Sequence, residues 1–131
     1  MGLDFGGGLF PQQGLYQEDG ILSERWNQEG STPWTYVGEG DADKTCHTVT
    51  AGKVLYVSSI TLSTYGSAGR LNFLDGGSGG TNKIQFEISA TAGITDTIYF
   101  DTPIKFVTDI YQNQTTDPDA WVNMTGWEED A

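Results

Sequence analysis

The chain has 131 residues, of which 37% are hydrophobic and 18 are glycine, and its eighteen carboxylates against six lysines and arginines give a formal charge of −12. That length suits one domain, and that glycine content favours short strands and tight turns over long helices. The charge repels a phosphate backbone, which argues against nucleic-acid binding, and the absence of a run of 18 or more apolar residues argues against a membrane-spanning helix.

Residues 1–40 hold nine glycines and two prolines with apolar residues scattered among them and no period-2 pattern. The expectation is an extended N-terminal arm, residues 1–40, followed by a β-sandwich domain, residues 41–131. A disordered segment is poorer in aromatics, so Phe5, Phe10, Tyr16, Trp26 and Trp34 are read as docking residues in the arm. The opening residues, Met1-Gly2-Leu3-Asp4-Phe5, lack the basic and apolar regions of a signal peptide, which predicts folding in a cytoplasm. Acids are spread from Asp4 to Asp130 and predict a solvated acidic surface.

From about residue 45 the chain breaks into short β runs separated by glycine-rich or Asp-Pro turns. Strands are predicted over 45–50, 53–64, 69–75, 82–89, 95–100, 104–110 and 120–127. Their spacing is that of an antiparallel sandwich of about seven or eight strands, jelly-roll or Ig-like, with little helix. Alternation along Ile84, Phe86 and Ile88 marks one buried face, and Ile60, Leu62, Phe73, Ile98, Phe100, Ile104 and Phe106 extend that core. The run 53–64 is ambiguous. Leu55 and Val57 fall on the opposite parity from Ile60 and Leu62, so either a bulge near Ser58-Ser59 shifts the register or the outer face is covered. On the second reading Leu55 and Val57, with Trp121 and Trp127, are candidate interface residues.

Chemistry is harder to find. Cys46 is the one cysteine, so no internal disulfide and no Cys-based zinc cluster can form. His47 is the one histidine, and adjacent strand residues point to opposite faces, which argues against a Cys46–His47 dyad. The run Asp75-Gly76-Gly77-Ser78-Gly79-Gly80 lacks the lysine of a phosphate loop and reads as a flexible hairpin loop. Asp41 with Asp43, and Asp117 with Asp119, do not follow the calcium-loop spacing. No catalytic residue, metal site or cofactor is predicted.

Three stretches carry a resemblance: Ala51-Gly52-Lys53-Val54-Leu55-Tyr56-Val57-Ser58-Ser59-Ile60-Thr61-Leu62-Ser63, then Leu74-Asp75-Gly76 and Phe100-Asp101-Thr102-Pro103-Ile104-Lys105-Phe106. The closing strand Val122-Asn123-Met124-Thr125-Gly126-Trp127-Glu128-Glu129 completes it. In this order they resemble small β-sandwich virion proteins of tailed bacteriophages and related viruses. The resemblance implies a non-enzymatic capsid decoration (cement) protein or head or tail accessory protein. It further implies a place on the capsid surface after synthesis in the host cytoplasm. The implied partners are the major capsid protein or another virion protein, with assembly as a homo-oligomer, a trimer by that analogy. The alternative is a carbohydrate-binding or host-attachment module of a phage head or tail, which four tryptophans and six tyrosines would suit.

Overall fold

The computed structural model describes residues 31–131, and Pro33–Ala131 clusters as one unit. Among these residues eight strands run in order: β1 (Thr32–Glu39), β2 (Lys44–Thr48), β3 (Lys53–Thr64), β4 (Gly69–Asp75), β5 (Thr81–Ile88), β6 (Thr95–Phe106), β7 (Asp109–Thr115) and β8 (Ala120–Asp130). The helical content among them is a single 3₁₀ turn at Gly77–Gly79. They form two four-stranded sheets, sheet 1 in the order β1-β8-β3-β6 and sheet 2 in the order β2-β7-β4-β5.

That order has a simple derivation. Folding a ribbon of eight strands in half pairs β1 with β8, β2 with β7, β3 with β6 and β4 with β5, and all four pairings are present. Rolling the ribbon then brings β8 against β3 and β7 against β4, again as observed. The result is the two Greek keys of a jelly roll, which decides between the two sandwich topologies the strand spacing allowed.

The core lies between the sheets, with Leu55, Ile60 and Val122 of sheet 1 packed with Leu71, Phe73 and Ile110 of sheet 2. Phe73 and Phe86 meet edge-on at 6.5 Å. The register of β3 explains its ambiguous sequence. Val57 pairs with Gly126 and Ser59 with Thr125, so Ser58 is an extra residue, a β-bulge that puts Leu55 and Val57 on the same inner face as Ile60 and Leu62. Leu55 and Val57 are therefore core residues at 0% exposure, not the outer-face interface residues the parity of the run suggested. Gly126 makes the bulge possible, because a Cβ there would sit 1.9 Å from the carbonyl oxygen of Tyr56.

Several expectations shift. Asp101-Thr102-Pro103 is not a turn: β6 runs through it, although residues 100–103 are passed over in the pairing with β3 between Tyr99 and Ile104. Two strands were not foreseen as such: β1 lies inside the segment assigned to the arm, and β7 begins at the end of the strand predicted over 104–110 and runs on through residues given no element. Of the expected core, Ile98 is 40% exposed, while Phe86, Phe100 and Ile104 are half-buried, because they belong to β5 and β6, the outer strands of their sheets. The remaining members are buried as expected.

Candidate interaction site

Among the described residues, polar and aromatic clusters border the apolar core, and the geometry of five of them separates structural ties from a more exposed surface. The first spans the two sheets. His47 Nε2 donates to Glu128 Oε2 at 2.7 Å, the Thr50 N–H donates to the same oxygen at 3.2 Å, and the Trp34 ring lies 5.2 Å from the His47 ring. Burial pulls the Glu128 carboxyl up, but the hydrogen bonds from His47 and Thr50 outweigh it and hold the group below the usual carboxylate range. Both partners are committed to each other, so the cluster is an inter-sheet tie.

The second centres on Cys46, the extra residue where the β2–β7 register shifts between Thr45 and His47. Its thiol donates to Gln112 Oε1 at 3.8 Å, and Gln112 Nε2 donates to the carbonyls of Glu39 and Ala42 at 2.9 and 2.8 Å. Burial pushes the Cys46 thiol up, against the opposing effect of its hydrogen bond with Tyr36, and burial likewise raises Tyr36. A protonated thiol and a protonated phenol are poor nucleophiles. Cys46 and His47 thus serve different neighbours and form no dyad.

The third joins two loops. The Asp75 carboxylate accepts the N–H groups of Val107, Thr108 and Asp109 at 2.8, 2.8 and 3.3 Å. Asp109 Oδ1 in return accepts the N–H groups of Gly76 and Gly77 at 2.9 and 3.0 Å. Gly76 and Gly77 have φ of 106° and 78°, which turns their amides toward that carboxylate. The glycine run expected as a flexible loop is pinned by its neighbour.

The fourth lies on the outer side of sheet 1, where Tyr56 stacks on Trp127 at 5.4 Å and the Trp127 indole donates to Glu129 Oε1 at 2.7 Å. Trp127 is buried.

The fifth occupies the other half of that outer side, exposed along β6 and at Trp121 and Asn123 and closing toward the buried Ser59. Ser63 sits between Trp121 and Thr95, Thr61 between Asn123 and Thr97, and Ser59 between Thr125 and Tyr99. Each row contains one hydroxyl pair: Ser63–Thr95 at 3.1 Å, Thr61–Thr97 at 2.8 Å and Ser59–Thr125 at 2.6 Å. None of these nine side chains is a carboxylate, lysine or arginine, in a chain of net charge −12. Tyr99 is 78% and Trp121 37% exposed.

Of the residues read from sequence as interface candidates, Trp121 lies on this face. Trp34 is half-buried in β1 and packs on the core and His47. Leu55, Val57 and Trp127 are buried, while Phe5, Phe10, Tyr16 and Trp26 lie outside the described residues. Tyr99, Thr97 and Thr61 were not anticipated. Among the described residues no group of three or more His, Cys, Asp or Glu side chains is placed to hold a metal ion, and no helix is long and apolar enough to cross a membrane.

No protein-family model and no curated protein sequence matches the chain. Three solved structures are similar in backbone. One is from the disulfide-linked pili that form Bacillus endospore appendages, at 10% identity and TM-score 0.49, covering 79% of this chain and 90% of that one. Another is the VLP of the giant freshwater prawn Macrobrachium rosenbergii extra small virus, at 11% identity and TM-score 0.38, covering 95% and 91%. The third is from the cyanophage Pam1 capsid asymmetric unit, at 13% identity and TM-score 0.37, covering 95% and 99%. With every TM-score below 0.5, the fold assignment rests on the strand order itself.

Proposed function

We propose that this chain is a non-enzymatic structural protein of a virion, a decoration protein that binds the capsid shell. The observation that carries the reading is the uncharged outer half of sheet 1 on an otherwise strongly acidic jelly roll. Jelly rolls serve as viral capsid and lectin domains among others, and the architecture alone does not choose between them. The side chains do. A sugar-binding surface presents free, converging donors and acceptors in a concavity, whereas six of the hydroxyls on this sheet face are paired with one another across the strands. Such a face suits contact with another protein surface. The ionisable clusters described above are engaged in holding sheets and loops together, and among the described residues none of them places an acid–base or nucleophile pair in a cleft.

In this reading the partners are the major capsid protein or another virion protein, and the docking role read for residues 1–40 belongs to the same proposal. The test is co-sedimentation of the purified full chain with particles of its parent virus that lack it. Saturable binding at a fixed ratio to the shell protein is the expected result. Absence of binding to particles, together with saturable binding on a glycan array, overturns the proposal in favour of a carbohydrate-recognition module.

A further inference from the structure

We infer that the end of the sandwich bearing Tyr65, Ile94 and Trp121 is a second interaction surface, whose occupant is a protein segment rich in arginine and lysine. It meets the uncharged face of sheet 1 at Trp121 and is otherwise separate from it, so the inference does not depend on the virion role.

Chain order dictates which loops share that end. With antiparallel strands in this order, the connections β1–β2, β3–β4, β5–β6 and β7–β8 gather at one end, and β2–β3, β4–β5 and β6–β7 at the other. Backbone hydrogen bonds draw the first four together. The Tyr65 N–H donates to the Asp119 carbonyl at 2.9 Å and the Asp119 N–H to the Ser67 carbonyl at 3.2 Å. The Thr64 and Gly40 N–H groups donate to the carbonyls of Ile94 and Ala120, both at 2.8 Å. Three large apolar residues are left exposed there, Tyr65 at 51%, Ile94 at 42% and Trp121 at 37%. Ser63 lies opposite Trp121 and Thr64 opposite Ala120, so Tyr65 and Trp121 stand on neighbouring strand ends. Exposed indole and phenol faces attract cations.

Charge selects the occupant. The four connections at this end, residues 40–43, 65–68, 89–94 and 116–119, contain Asp41, Asp43, Asp117 and Asp119 and no lysine, arginine or histidine. The connections at the other end, residues 49–52, 76–80 and 107–108, contain no charged side chain at all. The acidity of the chain as a whole does not account for that division. The cations among the described residues all lie within strands, and the two closest to this end are Lys44 and Arg70, of which Arg70 is held by Glu87 at 2.7 Å. Asp43 accepts the Gln114 N–H at 2.8 Å. The carboxylates of Asp41, Asp117 and Asp119 have no partner among the described residues, and all three residues are exposed. An anionic partner or a second copy of this chain is repelled here. No three of the acids are placed to hold a metal ion, so an extended cationic chain fits where a single ion does not.

The surface is also preorganised, which lowers the ordering cost of binding. Asp117 has φ of 49°, its N–H is held by Gln114 Oε1 at 2.8 Å, and Pro118 beside it is fully buried. The carboxylates on either side of Pro118 are therefore presented from a fixed turn.

The test is titration of the purified full chain with an oligo-arginine peptide, followed by tryptophan fluorescence and calorimetry from roughly 50 to 500 mM salt. Saturable binding at one peptide per chain that weakens with salt is expected, with no binding of an oligo-glutamate peptide. The double variant Asp117→Asn, Asp119→Asn is expected to weaken it about tenfold. Asparagine tolerates the left-handed backbone at position 117, and circular dichroism verifies the fold of each variant. A control pair of equal charge change away from this end, Asp101→Asn with Asp130→Asn, is expected to alter the affinity less than about twofold. Tyr65→Ala, which keeps every charge and leaves the uncharged face of sheet 1 intact, is expected to weaken binding about fivefold. Absence of saturable binding, equal weakening by the control pair, or native affinity in Tyr65→Ala overturns the inference. Particle binding is measured separately, so this surface can fail while the virion role stands, and the reverse.

Discussion

Replacing Glu128 with glutamine keeps the shape of the inter-sheet tie and removes its charge. In the native chain the carboxylate receives the His47 ring at 2.7 Å and the Thr50 amide at 3.2 Å, with the glutamate side chain 9% and the histidine 25% exposed. Exposed ion pairs contribute about 0–1 kcal/mol and breaking a fully buried one costs about 3–5 kcal/mol. This pair lies between those limits, so Glu128→Gln is expected to cost about 1–3 kcal/mol at neutral pH. The pH dependence has a definite sign. Folding lowers the Glu128 pKa from its ordinary value of 4.5, so the unfolded chain takes up a proton more readily than the folded one. The stabilisation is then fully present above the unfolded value and is lost as pH falls through the folded one. Urea unfolding followed by tryptophan fluorescence should show the native chain more stable than Glu128→Gln at pH 7, with the gap narrowing below about pH 4. Equal stability at pH 7, or a gap that persists undiminished at about pH 2, refutes the reasoning.

Asp75→Ala strips three backbone amides of their acceptor and should cost about 1–3 kcal/mol in urea unfolding, with Asp75→Asn milder because one oxygen remains; an unchanged midpoint contradicts the loop-pinning role. Gly126→Ala drives a methyl into the Tyr56 carbonyl at the β3 bulge and should cost at least about 1–3 kcal/mol, which a thermal melt within a degree of the native one rules out. Cys46, with its thiol pushed up by burial, should react with a thiol reagent at pH 8 at least about tenfold more slowly than the same cysteine in urea. Equal rates would show the site to be open.

The parts of the fold legible in sequence are those where burial alternates with simple parity. β5 shows this most clearly, since Ile84, Phe86 and Ile88 face inward from a strand whose other side is Lys83, Gln85 and Glu87. β7 hid for the opposite reason. Its inward position Gln112 is 0% exposed yet polar, and its burial is made possible by the carbonyls of Glu39 and Ala42, which no local pattern reveals. β1 hid because Trp34, one of its two residues packed on the core, reads equally well as a docking residue, and Tyr36 alone beside it makes no pattern. The bulge at Ser58 was one of two possibilities until the partner strand was known, since the absence of a side chain at Gly126 is what accommodates it. The uncharged face was out of reach altogether. Residues 59–63, 95–99 and 121–125 are far apart along the chain and meet only through the β8-β3-β6 order.

The virion role proposed above is open to cryo-electron microscopy of the parent particle. Density for an eight-stranded sandwich of this strand order, repeated at symmetry-related positions on the outside of the shell, is the expected result. Particles that reconstruct fully without the chain, or that carry it solely at a tail tip positioned for host contact, overturn the proposal.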